Sequence, residues 1–420
     1  MNDTSPTQRN LTTIRWLTFF MFMMFAMTTD SVGVIIPQVI KEFRLSMTAA
    51  GAFHYATMSG IALAGIFLGY LADRFGRKTT IILGLILFAA SSYMFAVGRS
   101  FPFFLVLLLS SGVAIGIFKT GALALIGDIT RSTTEHTSTM NTVEGFFAVG
   151  AIIGPAIVAH LLAVGTSWKW LYIIAATLCV ALIVTASLVR YPRTITTSEP
   201  VDLKRTFEML RNPYALGFSA AIFLYVTVEA AVYVWMPTLL AGYHGPAPWI
   251  AVYAISIFFV LRAAGRFVGS WMLARLNWAA VVTVFSLAIL VCFVVSVIGG
   301  IGAAVFLLPL SGLFMSVLYP TVNSKGISCF RKAEHGAVAG VILFFTCGAA
   351  VVGPLAMGAV SDALGDPKYG FILATGFAGL LCLSLLLNWI LNPTRQILRD
   401  LDATEYHAMD TQEAALEGRN

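Results

Sequence analysis

Charge is what this 420-residue chain has least of: 11% of its residues are Asp, Glu, Lys or Arg, against about 25% in soluble domains. With 58% of residues hydrophobic, the composition excludes a soluble globular domain and implies a polytopic membrane protein. Cysteine is sparse as well. Cys179, Cys292, Cys329, Cys347 and Cys382 are scattered without paired spacing, so neither a disulfide framework nor a metal site is expected, and they read as small core residues. No nucleophile–base set, metal cluster or nucleotide loop is present, which argues against an enzyme and against a resident cofactor. Gly76-Arg77-Lys78-Thr79 lacks the upstream glycine spacing and the preceding strand that a phosphate loop requires. A long soluble signalling domain is also lacking, which disfavours a sensor or scaffold.

What the chain does have is apolar runs of membrane-crossing length, which takes roughly 20 residues. Twelve are read, at 16–40, 48–72, 79–98, 102–127, 138–163, 168–190, 214–241, 248–273, 279–298, 302–327, 335–361 and 369–391. They are numbered here as the first to the twelfth span. The first is too long for a signal peptide, carries Asp30 and lacks a small-residue cleavage site, so it belongs to the mature protein. The expected organisation is an N-terminal arm (1–15), a six-helix bundle (16–190), a linker with a short amphipathic helix (191–213), a second six-helix bundle (214–391) and a polar, acidic tail (392–420). Leu203, Phe207 and Leu210 set the helical spacing of the linker.

Starting the N-terminus in the cytoplasm places seventeen of the 26 Lys and Arg in cytoplasmic segments, five (Lys41, Arg44, Arg99, Lys169, Lys368) outside and four within helices. The positive-inside rule then puts both termini in the cytoplasm, as expected for a bacterial-type inner membrane. Asn2-Asp3-Thr4 and Asn10-Leu11-Thr12 match the glycosylation pattern but fall in the cytoplasmic arm. The net charge of +6 reflects this bias towards one face, and no nucleic acid is expected as a partner.

The halves echo one another. Asp30 and Glu229 are 199 residues apart, Pro37 and Pro237 200, Gly69 and Gly269 200, and Gly154-Pro155 and Gly353-Pro354 199. Duplicated halves with ionisable groups near the bilayer midplane are the pattern of a secondary transporter working by alternating access. A carboxylate or ammonium at that depth costs at least ~2.5–3.5 kcal/mol on insertion scales, so each is a candidate for function. The deep set is Asp30, Glu144 and Glu229 against Lys119, Arg262 and Arg266. Three acids face three bases, so pairing among themselves could account for all six.

Asp30 is the first choice of proton site, with Glu229 beside it. Tyr225, Glu229 and Tyr233 at i−4, i and i+4 would put two phenols and a carboxylate on one face, suited to sugar hydroxyls. Tyr319 and Asn323 make a similar pair in the tenth span, where Pro320 is free to break the helix. Arg262 and Arg266, one turn apart, could chelate an acid, with Lys119 adding a third cation, or Arg262 could neutralise Glu229 or Asp30. Glu144 is read as the partner of Lys119 in a structural or gating pair. Asp128 and Lys325 are read as solvated edge charges, and His54 as a hydrogen-bonded polar residue of the second span.

Between the second and third spans stands Gly69-Tyr70-Leu71-Ala72-Asp73-Arg74-Phe75-Gly76-Arg77-Lys78, which resembles the loop motif of the major facilitator superfamily. The resemblance implies an all-α membrane fold of twelve helices in two pseudo-symmetric six-helix bundles. In it Gly69, Asp73, Arg74, Gly76 and Arg77 serve as a cytoplasmic latch, with Arg74, Arg77 and Lys78 meeting partners or lipid phosphates. Gly269 and Arg275 echo the loop in the second half, but no residue there corresponds to Asp73, so the latch is lopsided.

The stretches Met140 to Pro155, Leu224 to Glu229, Trp235 to Thr238, Gly265-Arg266, Tyr319-Pro320-Thr321 and Gly353-Pro354 resemble the fucose:proton symporter family. Asp30 matches that family's first-span aspartate, linked with proton coupling and sugar recognition. In the fourth span Gly116-Ile117-Phe118-Lys119-Thr120 has lysine where the family has glutamate. The resemblance implies symport of a sugar or sugar derivative with a proton, sodium being the alternative ion, by a monomer in contact with membrane lipids. The alternatives are an organic-anion or sugar-acid transporter using Lys119 and Arg262, and a lipid or drug exporter. Gly150, Gly154 and Pro155 resemble a fifth-span pattern often linked with exporters.

Overall fold

A computed structural model describes residues 6–68, 71–130, 133–191, 209–331 and 334–401. The expected linker helix lies outside the described residues except for its last few positions, and the tail beyond 401 lies outside them too. Helices account for nearly everything described, and no strand occurs among the described residues. Among the described residues ten helices are long and apolar enough to cross a membrane, two fewer than the twelve spans read above. The 51-residue stretch Trp278–Ser328 holds both the ninth and the tenth span, which turn at Gly300 with φ 67°. The second span is cut at Gly51 into Met47–Ala50 and a 16-residue piece, Ala52–Phe67, and neither is long enough to count alone.

Several spans are irregular where the sequence permits it. The first runs as Pro6–Thr29, turns at Asp30 and Ser31, and resumes as Val32–Phe43 with Pro37 inside. The seventh starts on an Asn212 cap whose side chain accepts from the N–H groups of Tyr214 and Ala215, with Pro213 in the first helical position. It runs to Ala230, widens into a π-helical stretch at Ala231–Trp235, and ends as Met236–Leu240 with Pro237 inside. Proline offers no N–H to the carbonyl four residues earlier; Pro37 and Pro237 thus release the carbonyls of Gly33 and Tyr233. The tenth span breaks at Ser316 and Val317. Pro320 has no N–H for the Ser316 carbonyl there, so the break follows from the proline as expected.

By internal contacts the chain forms two compact units. The first comprises Met1–Ser198, Val232–Val260 and Pro354–Lys368. Phe25, Phe88 and Phe118 bind its first, third and fourth spans, with ring centroids 4.8 and 4.6 Å apart. Gly150 and Gly154 let the fifth span lie against the backbone carbonyls of Met23 and Met27, where a Cβ would collide. The same unit joins N-terminal spans to later ones. A Cβ on Gly33 would strike the Tyr233 carbonyl, Ser256 Oγ donates to Ile152 O at 2.9 Å, and Asp362 reaches Met47 and Thr48. All three joints fall in the halves of the spans away from the Phe75–Gly76 turn.

The second unit comprises Glu199–Ala231, Leu261–Gly353 and Tyr369–Asn420. Gly265 packs against the Leu313 carbonyl, which brings the eighth and tenth spans together. Gly353 lies against Thr227, so the eleventh span meets the seventh. Thr283 Oγ1 donates to Leu385 O at 3.0 Å and ties the ninth span to the twelfth. Of the five cysteines, Cys347 is partly exposed and the others are buried, all as free thiols, in keeping with their reading as core residues.

Candidate transport site

Glu229 stands at the centre of a polar cluster in the second unit. Its Oε1 is 2.6 Å from Arg262 Nη1, and their side chains are 10% and 20% exposed. The Tyr225 hydroxyl is 3.0 Å from the same oxygen and 2.9 Å from the Met315 carbonyl. That carbonyl ends the helix just before the break at Ser316 and Val317, where the last turn leaves acceptors unfilled. Tyr319, in the first turn after the break, brings its ring within 6.3 Å of the Tyr225 ring. One broken helix thereby supplies both a carbonyl and an aromatic face to the carboxylate of another.

The shared face expected of Tyr225, Glu229 and Tyr233 is not formed. The π-helical stretch begins two residues after Glu229 and carries more residues per turn than an α-helix, so Tyr233 rotates away from the other two. Its ring packs on His54, 5.5 Å between centroids, in the first unit. His54 itself is 1% exposed. Asn323, one turn beyond Tyr319, is half-buried and makes no hydrogen bond to the cluster.

Asp30 occupies the equivalent place in the first span. Its N–H closes the last helical turn on Ala26 O at 3.1 Å, and Thr29 Oγ1 donates to its Oδ2 at 2.8 Å. Ser31 Oγ donates to Met27 O. The carboxylate is half-buried and sits at the start of the helix Val32–Phe43, where the backbone dipole favours negative charge.

Lys119 and Glu144 do not form the expected pair. No carboxylate among the described residues lies within 4.0 Å of the Lys119 ammonium, which sits over the Phe147 ring at 5.5 Å, and Glu144 is exposed. The reason is local: Phe147, one turn after Glu144 on the fifth span, takes the position facing the ammonium. Arg266 is half-buried one turn beyond Arg262.

At the loop motif, Gly69 and the side chain of Asp73 lie outside what is described. Gly76 turns the chain with φ 82°, and Arg74 is exposed over the Phe75 ring. Arg77 and Lys78 do not project towards partners or lipid as expected. Arg77 Nε is 3.0 Å from Asp128 Oδ2, the two side chains being 8% and 11% exposed. Lys78 Nζ donates to the carbonyls of Ser187 and Val189 at 2.8 Å each, at the end of the sixth span. Orphan carbonyls and negative dipole at a helix C-terminus make that a favourable seat for an ammonium. The reading of Asp128 as a solvated edge charge is corrected by the same ion pair. Lys325 is half-buried.

With the architecture and the cluster in place, the sequence profile of the Major Facilitator Superfamily matches residues 18–354. The chain belongs to the major facilitator superfamily. It is 24% identical over 403 residues to the L-fucose-proton symporter of Escherichia coli strain K12, covering 85% of this chain and 89% of that one. It is also 29% identical over 185 residues to the quinolone resistance protein NorA of Staphylococcus aureus, covering 43% of this chain and 46% of that one. Among solved structures, the fold is similar to that of the E. coli fucose:proton symporter FucP in the outward conformation. That match has TM-score 0.61 and 20% identity over 89% of this chain and 98% of that one. The nucleoside transporter NupG superposes with TM-score 0.73 and 15% identity over 90% of this chain and 99% of that one. As a major facilitator with many apolar helices, the protein is an integral, multi-pass membrane transporter.

Two residues of the arrangement do not stand out in the sequence by side-chain type: Met315, which acts through its backbone, and Asp362. The signal for Met315 was Pro320, whose lost donor marks where the tenth span breaks. For Asp362 it was an acid at the end of a span, with nothing in the sequence to name its distant partner.

Proposed function

We propose that this chain imports a small polyhydroxylated molecule, a sugar or sugar derivative, together with a proton, and that it is not an enzyme. The observation that carries the reading is Asp30, a half-buried carboxylate at a turn in the first span, flanked by the hydroxyls of Thr29 and Ser31. Protonation of that group in one state and release in the other would couple proton entry to substrate. The likeness to an L-fucose-proton symporter over 85% of the chain supports the same assignment. Glu229, Tyr225 and Tyr319 supply acceptor, donor and aromatic faces for a sugar ring. Since Glu229 already neutralises Arg262, a neutral substrate fits that side of the site. In this reading both termini are cytoplasmic, the membrane is a bacterial inner membrane, and the protein works as a monomer.

A second reading rests on Lys119, whose ammonium has no carboxylate within 4.0 Å among the described residues and sits over the Phe147 ring. Had the substrate an acidic group, that ammonium would receive it, and the protein would carry a sugar acid or related organic anion. Proton movement in proteoliposomes decides between the two, recorded as neutral hexoses, amino sugars, sugar acids and small carboxylates are added one at a time. Entry with a neutral sugar supports the first reading, and a response restricted to acids supports the second. Silence across the panel, with proton exit when a quinolone is supplied, would overturn both in favour of export. The partial likeness to NorA, over 43% of the chain, makes that arm worth including.

A further inference from the structure

The second span begins at Met47, and the first N–H groups of a helix have no partner within it. Ser46 Oγ accepts from the Ala49 N–H, at 3.2 Å. The N–H groups of Met47 and Thr48 are taken from a distant part of the chain: Asp362 Oδ1 accepts from Met47 at 2.7 Å and Oδ2 from Thr48 at 2.8 Å. A carboxylate straddling two backbone donors at a helix start is a charge-assisted pair that also meets the positive end of the dipole. Although Met47–Ala50 is short, Gly51 keeps helical angles, φ −60° and ψ −17°, so the dipole continues into Ala52–Phe67.

The surroundings are shaped for this approach. Gly358, one turn before Asp362, faces the Thr48 backbone, and a Cβ there would lie 3.2 Å from Thr48 N and Cα. The Trp235 ring lies against both Gly51 and Gly358, and its Nε1 donates to Pro354 O at 3.0 Å. Three joints thus bring early and late spans together at this end: the first with the seventh at Gly33, the fifth with the eighth at Ser256, and the second with the eleventh at Asp362. The first two use neutral backbone or hydroxyl groups. The third uses a charge.

We propose that Asp362 is a latch that holds this end of the transporter shut, at the end opposite the loop motif. Alternating access requires each end to open in turn, so the three joints must part once per cycle, and the charged joint sets how readily they do. The Thr48 and Ser46 side chains also hydrogen-bond it, so the carboxylate is the one group on which all these donors converge. Its loss shifts the resting population towards the state open at this end.

Ser256→Cys places a thiol at the joint between the fifth and eighth spans, away from Asp362, where it reports opening. In the purified full-length protein, its alkylation by N-ethylmaleimide is followed by peptide mass spectrometry. Fully buried Cys179 serves as the internal control. Asp362→Asn should raise alkylation at position 256 about fivefold and leave Cys179 unchanged. An unchanged or slower rate at position 256 overturns the latch, as does a parallel rise at Cys179, which would signal general loosening. Thr48→Pro approaches the joint from the other side, deleting the backbone and hydroxyl donors of Thr48 at a position in the first turn where proline is tolerated. If Asp362→Asn does not fold, this variant decides: about a twofold rise supports the latch, and no rise overturns it.

Discussion

The first and seventh spans occupy the same place in two copies of one design, and they have diverged in a telling way. Each has an irregular turn beside an acid, and each has a proline shortly afterwards that releases a carbonyl. Asp30 accepts a hydrogen bond from Thr29, and Ser31 beside it donates to Met27 O, all on the same short stretch of chain. At Glu229 the acid is clamped by Arg262 from the eighth span and by Tyr225 one turn earlier. Duplication preserved the backbone fault and altered the electrostatics around it. The seventh-span acid is the counter-charge of an arginine, so neutralising it costs that ion pair its attraction.

The largest test of that contrast is to remove each charge in turn. Asp30→Asn should abolish proton-driven accumulation while leaving substrate exchange and the amount of folded protein intact, measured by uptake and counterflow in proteoliposomes. Accumulation that persists in this variant would remove Asp30 as the coupling site. Glu229→Gln should act first on stability, because it breaks the ion pair with the Arg262 guanidinium from one side. Breaking a buried pair from one side costs about 3–5 kcal/mol, and the low end applies since a fifth of the Arg262 side chain is exposed. Adding Arg262→Gln should restore much of the thermal stability lost. If Glu229→Gln instead melted like the parent and lost only coupling, the roles assigned to the two acids would have to be exchanged.

What the sequence made legible divides along the same line. The twelve spans, the duplication, the loop motif and Asp30 all follow from local pattern: hydrophobic length, a recurring interval, and an acid where acids are expensive. The break in the tenth span followed from Pro320. The clamp of Arg262 on Glu229 was one of several pairings open to six buried charges, and local sequence could not choose among them. Tyr233 was misplaced because the expectation assumed an unbroken α-helical period, and a π-helical stretch has no reliable residue signature. Lys119 and Glu144 lie on neighbouring helices, but proximity in sequence-derived depth does not fix rotation about each axis, and Phe147 intervenes. Asp362 shows the same limit from the other side, since its partners at Ser46, Met47 and Thr48 are more than three hundred residues away.

A finer test concerns Lys119, which has no carboxylate within 4.0 Å among the described residues and sits over the Phe147 ring. Lys119→Glu reinstates the acid that resembling transporters carry in the fourth span. If Asp30 alone handles the proton and the substrate is neutral, this variant should keep transport and alter mainly its pH profile. Complete loss of uptake, with the protein folded, would mark Lys119 as a substrate contact and favour the organic-anion reading. The result would also sharpen the contrast between the acids, because it shows whether a carboxylate in the fourth span takes part in the coupling proposed for Asp30.

The smallest expected effect belongs to Tyr225, whose hydroxyl joins the clamped acid to the broken tenth span. Tyr225→Phe keeps the ring, which is 2% exposed, and its contact with Tyr319, but leaves the Met315 carbonyl without that donor. An unsatisfied buried acceptor costs about 1–3 kcal/mol, so a modest fall in melting temperature is expected, with the ion pair retained. Substrate affinity should fall in parallel if sugar hydroxyls use this corner, while coupling stoichiometry stays as it was. A change in stoichiometry would mean that Tyr225 governs the ionisation of Glu229, and that the seventh span shares the proton chemistry assigned here to the first.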